Sequence, residues 1–214
     1  MTSRPSSTFA FGLAALAACA LPFATPAGAE ATIPWDLNIM SIPQVWDMGV
    51  TGDGVIVANV DTGVYYQHEA LLPNYLCGAS GPHDACWEDP DGGTTAPNDG
   101  NGHGTNVTGI VTSNGLVSSV GVAPDASIVA VKVLADDGSG WLTDTAAALD
   151  WIYDEAPGVK AINMSLGGGL YTGNCDNSNM QLTIPINSLR DRGTLSFASS
   201  GNDASGTQMS APAC

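Results

Sequence analysis

The sequence predicts an α/β domain built on a mostly parallel sheet, and three observations carry that expectation. Apolar, β-branched runs of strand length alternate with longer segments whose apolar residues recur at helical spacing. The runs are continuous instead of alternating with polar residues, as in strands buried on both faces. Polar residues with catalytic potential gather where these runs stop, at Gly-bracketed turns, and parallel sheets form their sites at those C-terminal strand ends.

Each element follows in order. From Ile33 to Val50, Trp35 and Trp46 sit among small and polar residues and read as a surface-wrapping arm. Gly54 to Val60 (Gly-Val-Ile-Val-Ala-Asn-Val) reads as the first buried strand and delivers Asp61 at its end. Residues Cys77 to Asn101 are rich in Gly, Pro and Asp and read as a long loop. After His103, Thr105 to Ser113 predicts a helix with small residues on its faces, and Ala126 to Leu134 a second strand. Asp136-Asp137-Gly138-Ser139-Gly140 is a turn. Thr143 is expected to cap a helix running to about Glu155, with Ala146, Leu149, Trp151 and Ile152 on its apolar side. Val159 to Leu166 predicts a third strand, ending in Gly167-Gly168-Gly169. Met180 to Arg192 predicts a helix, and Thr194 to Ser199 a fourth strand.

The chain has 214 residues, enough for one domain with a sizeable core, and 44% of them are hydrophobic. Five Lys and Arg against 21 Asp and Glu give a formal charge of -16. Such a surface repels nucleic acid and anionic lipid. It suits work in salt, cation binding, or simple solubility.

The N-terminus reads as an export signal over residues 1–29. Arg4 is the only charge there, an apolar run extends from Phe9 to Leu21, and Ala27-Gly28-Ala29 precedes Glu30 as a small-x-small cleavage site. The run is too short and interrupted for a membrane span. Leu16-Ala17-Ala18-Cys19 has the form of a lipobox, so lipid anchoring at Cys19 is the alternative to secretion. An N-terminal arm (30–53) and one larger domain (54–214) are expected to follow. Outside the signal, Cys77, Cys86, Cys175 and Cys214 make an even set, as expected of disulfides in an exported chain. Three pairings are open. A local Cys77–Cys86 bridge is the cheapest, and it would leave Cys175 to pair with Cys214.

Three stretches supply chemistry: Val60-Asp61-Thr62-Gly63, Asn101-Gly102-His103-Gly104-Thr105 and Ser199-Ser200-Gly201-Asn202. They offer an acid, a base and an amide donor. An imidazole titrates near pH ~6.5, so it can take and return a proton, and a buried carboxylate on its far nitrogen fixes its tautomer. The order Asp, then His, is one of the sequence orders in which hydrolytic triads occur.

These stretches, with Gly121-Val-Ala-Pro124 and Ala161-Ile-Asn-Met-Ser-Leu-Gly-Gly168, resemble the N-terminal two-thirds of a subtilisin-family (subtilase) catalytic domain. The resemblance implies a subtilisin-like three-layer fold and a secreted serine endopeptidase. It implies that Asp61 orients His103, that His103 is the general base and that Asn202 is the oxyanion donor. Ser165, Leu166 and Gly167 would form one wall of the primary specificity pocket, and Ser199, Ser200 and Gly201 the other. Gly138 to Trp141 would form a second substrate-pairing edge. Asp99, four residues before His103, reads equally as a neighbour of the site or as a solvated loop acid. Polypeptides are the implied partners, and a monomer the implied state.

The nucleophile is the departure. The family expects Gly-Thr-Ser-Met, whereas Gly206-Thr207-Gln208-Met209 puts Gln208 at the Ser position, only a few residues after Asn202. The expectation is therefore a fragment, incomplete at its C-terminus and inactive alone. The competing reading is a non-catalytic, secreted subtilase-like binding or scaffold domain. Asn106 replaces the His that often follows His-Gly-Thr. No cofactor is required for the chemistry. The acids from Asp84 to Asp99, with Asp136 and Asp137, would suit a structural Ca²⁺, with no ligand set identified.

Overall fold

The computed structural model describes residues 33–76, 86–88 and 97–214. The proposed signal, Cys19, Cys77 and most of the Asp-rich loop lie outside these residues. The segment read as an arm contains two short helices, α1 (Trp35–Ile39) and α2 (Ile42–Asp47). A proline in the first turn of α2 favours helical backbone, and Ser41 at φ 59° makes the break before it. Leu37 is buried, and the Trp46 indole donates to Val122 O at 2.9 Å, which holds the segment to the domain.

The remaining elements are β1 (Ile56–Asp61), β2 (Trp87–Glu88), α3 (His103–Thr112), β3 (Ser127–Lys132), α4 (Leu142–Glu155), β4 (Val159–Met164), β5 (Gly168–Tyr171), α5 (Met180–Asp191), β6 (Leu195–Ala198) and β7 (Met209–Ala211). Among the described residues five strands form one sheet in the order β2-β3-β1-β4-β6, and every pairing among them is parallel. The α/β class expected from the sequence is the class observed. β1 lies at the centre, with Asp61 beside Lys132 of β3.

Strand parity decides what each face of β1 does. Ala58 and Val60 point into the larger core, packed with Val129 and Val131 of β3, Ile162 and Met164 of β4, and Leu149 and Ile152 of α4. Val57 and Asn59 point the other way. Val57 packs with Ile128 near Val111 of α3, and Asn59 bonds to α3. Asp61 shares their parity, so the strand's own alternation aims it at the start of α3.

Several elements differ from the reading of the sequence. Trp87 and Glu88 pair with β3 as an edge strand, inside the stretch read as loop. Thr143 is no cap: α4 starts at Leu142 after Trp141, and the Thr143 hydroxyl donates to Asp144 at 3.2 Å. The Gly-rich end of the third strand continues as β5. It pairs antiparallel with β7, which is formed by the stretch that mimics a nucleophile motif. Gly runs are poor strand formers by propensity, so the pairing partner makes this strand.

Cys175 and Cys214 form a disulfide spanning 39 residues, which ties the end of β7's segment to the start of α5. Cys86 is also disulfide-bonded, and its expected partner, Cys77, lies outside the described residues. On β6, Leu195 and Phe197 are each 57% exposed. No helix among the described residues is long and apolar enough to cross a membrane.

Candidate active site

Asp61 is fully buried at the end of β1, and its Oδ1 lies 2.7 Å from His103 Nδ1. The same oxygen accepts the Thr62 N–H at 2.7 Å. The His103 side chain is 48% exposed, so one ring edge faces the buried carboxylate while the ring opens to the surface. A carboxylate held against Nδ1 leaves Nε2 as the free nitrogen, the arrangement a general base needs. Among the described residues Asp61 Oδ2 is buried without a hydrogen-bond partner.

The first residues of α3 explain why His103 stands where it does. A helix start leaves N–H groups without intrahelical partners. Here three side chains take them: Asn101 Oδ1 accepts from His103 N (3.2 Å), Thr62 Oγ1 from Gly104 N (2.9 Å), and Asp99 Oδ2 from Thr105 N (2.9 Å). Gly104 permits the close approach. A Cβ there would sit 2.1 Å from Gly63 O and 3.1 Å from Asp61 Oδ1. One turn along, the buried Asn59 donates to Gly104 O (3.1 Å) and Thr108 Oγ1 (3.0 Å), and it accepts from Asn163 at 2.9 Å.

Asp99 is no solvated loop acid. Its Oδ1 accepts from Thr62 Oγ1 (2.8 Å), Gly102 N (2.8 Å) and Asn101 N (3.0 Å), and its Oδ2 also accepts the Thr105 hydroxyl. Burial opposes its ionisation, but the hydrogen bonds from Thr105, Gly102 and Thr62 outweigh burial and hold the carboxyl below its usual range.

A cleft of about 450 Å³ runs beside His103. Ser165, Leu166 and Gly167 line it, together with Gly138 to Trp141, so the structure brings these two expected edges to one cavity. Leu134, Leu142, Thr145 and Asn101 line it as well; of these only Asn101 belongs to a stretch singled out in the sequence, and none was given a role in a cleft. Ser199, Ser200 and Gly201 do not line it. Ser199 Oγ donates to Leu166 O (3.0 Å), and Ser200 O accepts from Ser210 N (3.2 Å). The space beside Gly167 and Gly201 holds Ser210: a Cβ on Gly167 would lie 2.9 Å from Ser210 Cβ, and one on Gly201 2.5 Å from its Oγ. Asn202 is exposed, and its side chain has no hydrogen-bond partner among the described residues.

The acids considered for Ca²⁺ have other roles where they are described. Asp136 pairs with Lys132 Nζ at 2.9 Å, and Asp137 accepts from Ser139 N and Oγ. No group of three or more His, Cys, Asp or Glu that could hold a metal occurs among the described residues. Asp84, Asp89 and Asp91 lie outside the described residues.

The family model for Peptidase S8, the subtilase family, matches residues 52–214, the span that contains the sheet, His103 and the cleft. The chain belongs to the subtilase family. Subtilisin Savinase from Lederbergia lenta is 36% identical over 177 residues, covering 82% of this chain and 58% of that protein. Thermitase from Thermoactinomyces vulgaris is 36% identical over 162 residues, covering 75% and 51%. The minor extracellular protease Vpr of Bacillus subtilis is 34% identical over 163 residues, covering 74% and 19%. This subtilase chain thus spans 58% or less of the length of each of these three relatives. Asn59 and Thr62 lie inside the stretches read from the sequence but were given no role there, and Asp99 was placed only as a neighbour of the site or a solvated acid. Their one sequence signal is polarity at strand ends and helix starts, in otherwise apolar or Gly-rich surroundings.

Proposed function

We propose that this subtilase is a secreted serine endopeptidase whose acid–base half is Asp61 and His103. The 2.7 Å contact between the buried carboxylate and His103 Nδ1 carries this reading. In the proposed mechanism His103 Nε2 takes the proton of a serine hydroxyl as it attacks the scissile carbonyl. The Asp61 carboxylate stabilises the resulting imidazolium, and the proton returns to the leaving amine. Asn202 would donate its amide to the oxyanion. Substrate backbone would pair with the edges at Gly138 to Trp141 and Ser165 to Gly167, where the cleft is open. The extracellular designation of the Bacillus subtilis relative and the leader-like residues 1–29 support secretion.

The chain contains no Gly-Thr-Ser-Met string, and Ser210 is buried in β7. On this reading the 214-residue chain does not turn over peptides by itself. It should neither react with a fluorophosphonate probe nor release a chromophore from a peptide substrate. The same chain extended through a Gly-Thr-Ser-Met segment should do both. In the extended protein His103→Ala should cut kcat on the order of 10⁶-fold, the loss known for the same change in subtilisin. Labelling of the 214-residue chain, or activity in the extended protein that survives His103→Ala, would overturn the reading.

A further inference from the structure

Asp99 makes five hydrogen bonds at the junction of β1 and α3, and none of them is to Asp61 or to the His103 side chain. Its partners explain what it does there. Gly102 N, Asn101 N, Thr105 N and the Thr105 hydroxyl belong to the approach to α3 and its first turn. The Thr62 hydroxyl belongs to the end of β1. Thr62 works in both directions: its Oγ1 accepts from Gly104 N, so its one hydroxyl proton is free for Asp99, and its N–H fixes Asp61 Oδ1. The hydrogen-bonded path therefore runs from the helix start through Asp99 and Thr62 to the oxygen that faces His103.

We propose that Asp99 is a positioning residue: its carboxylate clamps the start of α3 to the end of β1 and so sets the hydrogen bond between Asp61 and His103. The proposal rests on the acid–base reading above. A carboxylate suits the task because every partner is a donor, and an ionised acid accepts on both oxygens at once. Asn59 braces the helix one turn further along, through Gly104 O and Thr108, but it leaves the N–H groups of the first turn untouched.

The test uses the full 214-residue chain with labelled histidine. The sequence has three His residues, so the ring protons can be assigned by single replacement. An imidazole Nδ1–H bonded to a buried carboxylate gives a far-downfield proton resonance. Asp61→Asn should abolish it. Asp99→Ala should abolish it or move it strongly upfield, although Asp99 makes no hydrogen bond to the ring. Thr62→Val removes the hydroxyl that joins β1 to both Asp99 and Gly104 N, and keeps the backbone N–H that Asp61 accepts; it should have the same effect, and it decides the matter if Asp99→Ala does not fold. A purely structural Asp99 would lower the melting temperature and leave the resonance of the folded protein in place. That result, in either Asp99→Ala or Thr62→Val, would overturn the clamp. If Asp61→Asn left the resonance unchanged, or the unmutated chain lacked it, the acid–base reading itself would fall. Loss with Asp61→Asn but not with the other two variants would sink the clamp alone.

Discussion

The two halves of the site are held in opposite ways. The acid–base half, from Asn59 to Thr105, is closed: Asp61 is buried, the free N–H groups of the first turn of α3 are taken by side chains, and Asn59 crosses from strand to helix. The half around Ser199 to Asn202 is open. Asn202 is exposed, Gly201 has φ +97°, and neighbouring Phe197 shows more than half its surface to solvent. Its anchors are the β5–β7 pairing and the Cys175–Cys214 bridge, both remote in sequence from the acid and the base. Pre-organisation in this chain is thus local to the proposed acid–base pair and weak at the proposed oxyanion donor.

The comparison can be broken in three ways. The largest effect is expected from the disulfide. Replacing Cys175 and Cys214 by Ala frees a 39-residue separation, a loss of about 4 kcal/mol by loop-closure entropy. Denaturant unfolding reads that loss, and the His103 Nδ1–H resonance of the folded protein should not move. If it does move, the halves are coupled and the contrast fails.

Asn59→Ala should come next, at about 3 kcal/mol, because it leaves buried partners on Gly104, Thr108 and Asn163 without their bonds. Here the resonance should shift along with the stability. A stability loss with no shift would mean that Asn59 supports the core and not the site.

The smallest effect is in pH dependence. The folded Asp99 carboxyl titrates below its unfolded value of ~3.9. Its contribution to stability is therefore fully present above that value and is lost as pH falls through the lowered folded value. Acid unfolding of the unmutated chain should fall more steeply below pH ~4 than that of Asp99→Ala, with the two curves converging at the lowest pH. Parallel curves would show that Asp99 gains nothing from being charged.

Much of this was legible in the chain. Continuous β-branched runs such as Gly54 to Val60 can be buried only between two layers, so the parallel sheet follows from composition and length alone. Asp61 and His103 were legible because short motifs mark them. Asp99 was half legible: its spacing from His103 suggested proximity, but nothing in the sequence separated a solvated acid from one with five donors. β5 and β7 were not legible, since one is Gly-rich and the other is short. Their hydrogen bonds come from each other, across about forty residues.

The order of chemical groups, the α/β class and the turns that carry Asp61 and His103 were settled by the one-dimensional pattern, because burial and backbone preference act over a few neighbouring residues. Which groups meet was settled only by packing. The parity of β1 turns Asp61 toward α3, Gly104 lets helix and strand close to contact, and Thr62 and Asp99 bridge the gap. Each of these is a relation between residues some forty positions apart, and a local pattern carries no record of such distances.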